Sequence, residues 1–174
     1  MKNPFIQSLC SVKCHANFTE KLKPYSHFIG SWDFIWTGFK NDGSSWSVPG
    51  EWHFSWILEG RAIQDNWICP KISERNSTKY PDGEYGTAIR YYDANEKRLK
   101  VIWIGPLLSN LNIFEVTVKE GEIIQNEILI SPKEKISRWK FKNIKDNSFT
   151  WEAAEYSDEG KTWTVTQEVK AKSS

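Results

Sequence analysis

The sequence is poor in the residues that organise many other folds. It has 3 cysteines in 174 residues, Cys10, Cys14 and Cys69. An odd number with two near the N-terminus is no disulfide framework, and free thiols fit a reducing compartment, so the expected location is cytoplasmic. Cys10 and Cys14 match neither the C-x-x-C redox pair nor the C-x-x-C-H haem attachment motif. Histidine is equally sparse, with His15, His27 and His53 all in the first third. No H-x-H, H-E-x-x-H or paired C-x-x-C occurs, so no metal site is expected. A surplus of one charge is missing too: 23 Lys+Arg face 22 Asp+Glu, which argues against a nucleic-acid partner or a polybasic membrane anchor. No apolar run approaches the ~18 residues of a membrane-spanning helix, and the first fifteen residues lack the apolar stretch of a secretory signal. Without that signal, Asn17-Phe18-Thr19 and Asn76-Ser77-Thr78 are chance glycosylation patterns. No G-x-S-x-G elbow and no Gly-rich phosphate loop occur, which argues against hydrolases, nucleotide hydrolases and dinucleotide-dependent oxidoreductases.

What is abundant is aromatic: 10 Trp, 9 Phe and 6 Tyr. One helix is expected from Thr19 to about His27, where Thr19 can cap and Pro24 limits the length. Thereafter about ten runs rich in aromatic and β-branched residues follow: Ser31–Phe39, Glu51–Leu58, Arg61–Cys69, Glu84–Asp93, Leu99–Gly105, Leu111–Lys119, Glu122–Ile130, Ile136–Asn143, Ser148–Tyr156 and Thr162–Lys170. Turn signals such as Asn41-Asp42-Gly43, Pro81-Asp82-Gly83 and Asp158-Glu159-Gly160 separate them. The expected class is all-β, a single antiparallel barrel or sandwich in which closure removes the sheet edges. Residues 1–17 are read as a flexible N-terminal tail and 18–172 as the barrel domain.

Two hairpins decide which side chains share a face. With Glu59-Gly60 as a two-residue turn, Leu58 opposes Arg61, Trp56 opposes Ile63, Phe54 opposes Asp65 and Trp52 opposes Trp67. That face is aromatic and is expected to point inward, taking Arg61 and Asp65 with it; each buried charge then needs a partner or water. The opposite face, with Glu51, His53, Gln64 and Asn66, reads as solvated. Around Glu120-Gly121, Val118 pairs with Ile123, Val116 with Gln125 and Phe114 with Glu127, but both faces are mixed and neither is assigned inward. Alternation elsewhere turns Leu99, Val101 and Trp103, and Trp139 and Phe141, inward; Trp32, Phe34 and Trp36 form one stripe of the first strand, and Trp151 shares a parity with Phe149 and Ala153.

Gly30-Ser31-Trp32, opening the first strand, resembles the G-x-W signature of lipocalins and other calycins. Tyr85-Gly-Thr-Ala-Ile-Arg90-Tyr-Tyr92-Asp93 and Phe149-Thr-Trp151-Glu-Ala-Ala-Glu155-Tyr-Ser157-Asp158-Glu-Gly160-Lys161-Thr162-Trp163 extend the likeness to residues 27–171. Together they resemble a largely uncharacterised bacterial family of small lipocalin-like barrels. The late stretch has one extra residue between Glu152 and Ser157, and Glu159 where that family has its first glycine. The resemblance implies a closed cup-like barrel in which Trp32 packs across one end, with Lys170 as its nearest basic neighbour. Nitrobindin-type calycins bind haem through a C-terminal histidine; this sequence has none there, and no cofactor is expected.

The expected function is binding of a small hydrophobic or aromatic molecule, with no nucleic acid and no membrane insertion. The candidate ligand-binding residues are Trp32, Trp36, Trp52, Phe54, Trp56, Arg61, Asp65, Trp67, Arg90, Trp103, Trp139 and Trp151. The rings supply apolar wall, while Arg61, Asp65 and Arg90 either orient a ligand carboxylate or phenolate or form an internal salt bridge that closes one end of the barrel. The alternative is a cofactor-independent isomerase or cyclase acting on a polyketide, terpenoid or oxylipin-like substrate, with Asp65, Glu115 or Glu127 moving a proton. A structural or partner-binding role would show as a continuous apolar patch on the outer surface.

Overall fold

The computed structural model describes residues 3–74, 83–128, 136–156 and 162–174. Ten antiparallel strands follow two short helices, α1 (Pro4–Ser8) and α2 (Thr19–Ser26). The strands are β1 (Gly30–Phe39), β2 (Ser45–Ile57), β3 (Ala62–Ile68), β4 (Tyr85–Asp93), β5 (Arg98–Gly105), β6 (Asn110–Lys119), β7 (Glu122–Ile128), β8 (Ile136–Lys145), β9 (Ser148–Tyr156) and β10 (Trp163–Ser173). Each pairs with the next, and β1 pairs with β10 to close the barrel. An even number of strands lets the last run antiparallel to the first, so no edge is left open. The Asn41–Gly43 turn is present, with Gly43 N–H donating to the Lys40 carbonyl at 3.1 Å; the turns at 81–82 and 158–160 lie outside the described residues.

Both expected hairpin registers are present: Trp52 opposes Trp67 and Phe54 opposes Asp65, while Phe114 opposes Glu127 and Val116 opposes Gln125. The orientation of the second hairpin, undecided from sequence, follows from burial: Phe114, Ile123 and Gln125 point inward.

One expectation fails at the β2–β3 turn. Leu58, Glu59 and Gly60 all take positive φ, at 52°, 56° and 81°. The strands therefore end at Ile57 and Ala62, and the connection is longer than two residues. Alternation stops there, so Leu58 is 60% exposed. Arg61 is turned outward, its side chain 42% exposed beside Glu59.

One end of the barrel is plugged. Leu22 and Tyr25 on one face of α2, with Phe28 just after it, are fully buried. Phe28 packs on Phe141 and Phe149 with ring centroids 4.8 and 4.9 Å away. Trp32 lies against Phe149 at 4.9 Å and donates from Nε1 to the Phe28 carbonyl at 2.7 Å. The resemblance's placement of Lys170 beside Trp32 does not hold: Lys170 pairs across β1 with Ile35 and points out to Glu168. Residues 11–15 run beside the same end, with Ser11 N–H donating to the Trp56 carbonyl and His15 N–H to that of Gly60.

Candidate functional site

Opposite the plug, the inward residues of the strand ends enclose a cavity of about 210 Å³. Six indoles line it, those of Trp36, Trp52, Trp67, Trp103, Trp139 and Trp151, with polar side chains between and above them. These rings brace one another edge to face, Trp52 on Trp67 at 4.9 Å, Trp139 on Trp151 at 5.4 Å and Trp103 on Trp139 at 5.8 Å, the arrangement their quadrupoles favour. Two small inward residues, Ala88 and Ala153, leave the space open. Trp103 fits only because Gly86 lies beside it; a Cβ on Gly86 would come within 2.4 Å of the indole.

At the floor lies an ion pair. Asp65 on β3 and Arg90 on β4 are joined through Oδ2 and Nη1, with side chains 0% and 2% exposed. Strand register explains it: Asp65 faces Ala88, so Arg90 is the next inward residue along β4. The guanidinium stacks over Tyr25, Phe54 and Phe141 at 4.9, 5.2 and 5.9 Å, cation–π contacts strengthened by the absence of water. Tyr25 Oη donates to Gln125 Oε1 at 3.1 Å. The Trp52 indole and the Ala88 N–H also donate toward the Asp65 carboxylate, while among the described residues the buried Arg90 Nε and Gln125 Nε2 have no hydrogen-bond partner. Burial pushes the Asp65 carboxyl above the usual carboxylate range, against the opposing pull of Arg90. Burial also holds the Tyr25 phenol well above the ordinary tyrosine range.

The rim is polar. Glu84, 3% exposed, accepts from the Leu107 and Leu108 N–H groups, both at 3.1 Å, and so fixes the loop between β5 and β6. Trp36 Nε1 donates to Gln167 Oε1 at 3.0 Å. Asn110, Asn112, Ser137, Glu155 and Thr166 complete the ring.

The structure thus gathers Trp36, Trp52, Asp65, Trp67, Arg90, Trp103, Trp139 and Trp151 around one space. Trp32, Phe54 and Trp56 are inward but lie below it, toward the plug, and Arg61 is outside. The guanidinium beside Asp65 is that of Arg90. Glu115 faces outward and pairs with Arg98, because its neighbour Phe114 takes the inward position. Glu127 lies at the rim, accepting from Asn112 Nδ2 at 2.6 Å and from Ser137 N–H at 2.9 Å.

Sequence reading passed over Glu84, Glu155 and Tyr25. Two signals were available: Glu84 shares the parity of Ala88 and Arg90, and Glu155 that of Trp151 and Ala153. Nothing local marks Tyr25 as the partner of Gln125, 100 residues away.

No family model matches the sequence, and no curated protein matches it. Solved structures do. Rv2717c from M. tuberculosis is 10% identical with a TM-score of 0.57, over 88% of this chain and 97% of that one. The S-type phycobiliprotein lyase CPES from Guillardia theta is 11% identical with a TM-score of 0.56, over 87% of this chain and 91% of that one. At such identity the likeness is one of fold: this chain is a lipocalin-like barrel.

Proposed function

We propose that the barrel binds a small, flat, mainly aromatic or hydrophobic molecule in the indole-walled cavity. The observation that carries this reading is the space itself, about 210 Å³ bounded by six indoles. A core that needed only to be filled would have closed it, since protein interiors pack with few voids larger than a water. An apolar cavity of about 150 Å³ accommodates benzene, so the space suits a molecule of one or two rings. The polar rim leaves room for a substituent reaching solvent. One of the structural neighbours is named as a phycobiliprotein lyase; at its low identity that name lends the fold and no ligand.

The test is titration of naphthalene while tryptophan fluorescence is followed, in the wild type and in Ala153→Phe. Ala153 is buried and lines the cavity, so the added ring occupies the ligand's place. Saturable quenching in the wild type, lost in a variant whose circular dichroism is unchanged, supports the reading. Equal quenching in both contradicts it.

A second reading, an isomerase or cyclase without cofactor, is favoured by one observation: the Asp65 carboxyl, raised by burial, stands at the cavity floor. It expects a captured ligand to exchange a carbon-bound hydrogen for solvent deuterium in the wild type and not in Asp65→Asn. Equal exchange in both removes it.

A further inference from the structure

The outer surface carries a signal of its own on β4 to β7. Strand register sets four isoleucines in one row across these strands: Ile89 opposes Ile102, Ile102 opposes Ile113 and Ile113 opposes Ile128. Ala88, Arg90, Val101, Trp103 and Phe114 are buried inside the barrel, so alternation turns the isoleucines beside them outward. Nearer the cavity mouth a second row pairs Ile104 with Leu111. Thr87 opposes Ile104 from the other side, and Tyr85 is the next outward residue on β4. The β5–β6 loop adds Leu107 and Leu108. Tyr85, Ile104, Leu107, Leu108, Leu111 and Ile128 are each between 37% and 55% exposed. Scattered apolar residues are ordinary on a surface, but these adjoin one another, and together they present about 500–600 Å², the top of the range for the largest apolar patch on a monomer.

The area and the border of the patch say what covers it. A standard interface covers about 800 Å² on each partner, and about 65% of a homodimer contact is apolar, so the patch supplies the apolar share of one such contact. Its border is a line of charges of both signs. Lys100 opposes Glu115 on the next strand; it also meets Asp93 at 3.3 Å and Glu96, while Arg98 pairs with Glu115. The cations here are matched by carboxylates, whereas a surface that docks on anionic lipid carries an excess of cations. A border holding both signs is self-complementary: across a two-fold axis each carboxylate can meet a cation of the second copy.

We propose that this face is the contact between two copies of the chain, an isologous dimer in which the aliphatic rows of β4–β7 stack sheet against sheet, as the inner faces of a β-sandwich do. Leu108 belongs both to the patch and to the cavity wall, so the second copy stands beside the cavity mouth. The inference concerns the outer surface and does not depend on what the cavity holds.

Sedimentation velocity of the full chain over a dilution series is the test. The wild type should sediment at twice the chain mass, with a dissociation constant of about 1 µM or tighter, as interfaces of this size give. Ile104→Glu sets a carboxylate in the middle of the patch and should weaken association at least about tenfold, with an unchanged circular dichroism spectrum. Leu111→Glu, on the neighbouring strand, reads the same contact if Ile104→Glu does not fold. Ile35→Glu replaces an exposed isoleucine on β1, at the opposite side of the closed barrel, and should leave the dimer intact. A wild type that stays monomeric at every concentration overturns the proposal, and flotation of that monomer with phosphatidylcholine–phosphatidylserine vesicles would assign the patch to a bilayer instead. A dimer as tight in Ile104→Glu and Leu111→Glu as in the wild type also overturns it, because the contact then lies elsewhere.

Discussion

Changing Asp65 to asparagine keeps the shape of the side chain and removes its charge. Arg90 then remains a cation with its side chain 2% exposed and no counterion. The rings of Tyr25, Phe54 and Phe141 around it offer cation–π attraction, about 2 kcal/mol at a desolvated site. That falls short of what a buried unpaired charge loses, and removing one partner of a buried pair typically costs about 3–5 kcal/mol. Arg90→Met exposes the converse problem, an orphaned carboxylate, partly relieved because Asp65 can take up a proton. The double change Asp65→Leu/Arg90→Met removes both charges together and should be less destabilised than Asp65→Asn alone. Urea unfolding followed by tryptophan fluorescence measures all of these. The reasoning is refuted if Asp65→Asn lowers stability by less than about 1 kcal/mol, or if the double variant loses as much as the two single variants combined.

Gly86→Ala should lower stability by about 1–3 kcal/mol in the same unfolding assay, because its Cβ would press on the Trp103 indole and lie 2.7 Å from the Ile104 carbonyl oxygen. Arg61→Ala should stay within about 0.5 kcal/mol of the wild type and leave naphthalene titrations unchanged, since among the described residues the side chain bonds to Glu59 and the Leu58 carbonyl at the surface. In alkaline spectrophotometric titration at neutral-to-high pH, Tyr25 should remain protonated while exposed tyrosines ionise. Its folded pKa is raised, so its contribution to stability is full below the ordinary tyrosine value and is lost as pH climbs above it. Tyr25→Phe should remove the late step that accompanies alkaline unfolding. With a thiol reagent at pH 8, exposed Cys10 should react in the native protein, while Cys69, buried and with its thiol pushed up to about 12, should react only after denaturation.

Much of the barrel was legible because strand periodicity is a local property. Trp52, Phe54 and Trp56 alternate with Glu51, His53 and Ser55, and a two-residue period needs no long-range information. Register in the Glu120-Gly121 hairpin followed from a tight turn. The Glu59-Gly60 hairpin shows where this logic stops. Its register was right from Ile57 and Ala62 onward, but the turn itself holds three residues at positive φ, and alternation cannot be carried through it. Arg61 was therefore assigned to the interior when it belongs to the rim of the plugged end. The same limit hid the ion pair. Asp65 needs a cation, and sequence offered several, yet only the β3–β4 register places Arg90 within reach. Glu115 and Glu127 differ in parity, and the choice between them required knowing that Phe114 is inward. The closing of one end by Leu22, Tyr25 and Phe28 depends on where α2 docks, which no spacing within α2 specifies.

The central claim is that a particular subset of tryptophans surrounds a ligand-accessible space, and indole N–H resonances test it residue by residue. Protein labelled with ¹⁵N-tryptophan, assigned through single Trp→Phe variants, is titrated with 2-naphthol. Signals of Trp36, Trp52, Trp67, Trp103, Trp139 and Trp151 should move together and saturate. Those of Trp32, against Phe28 and Phe149 in the plug, and of Trp163, on the outer face beneath Arg138, should stay in place. Shifts confined to Trp163 and the partly exposed Trp46, with the six wall signals unmoved at saturation, would contradict the account.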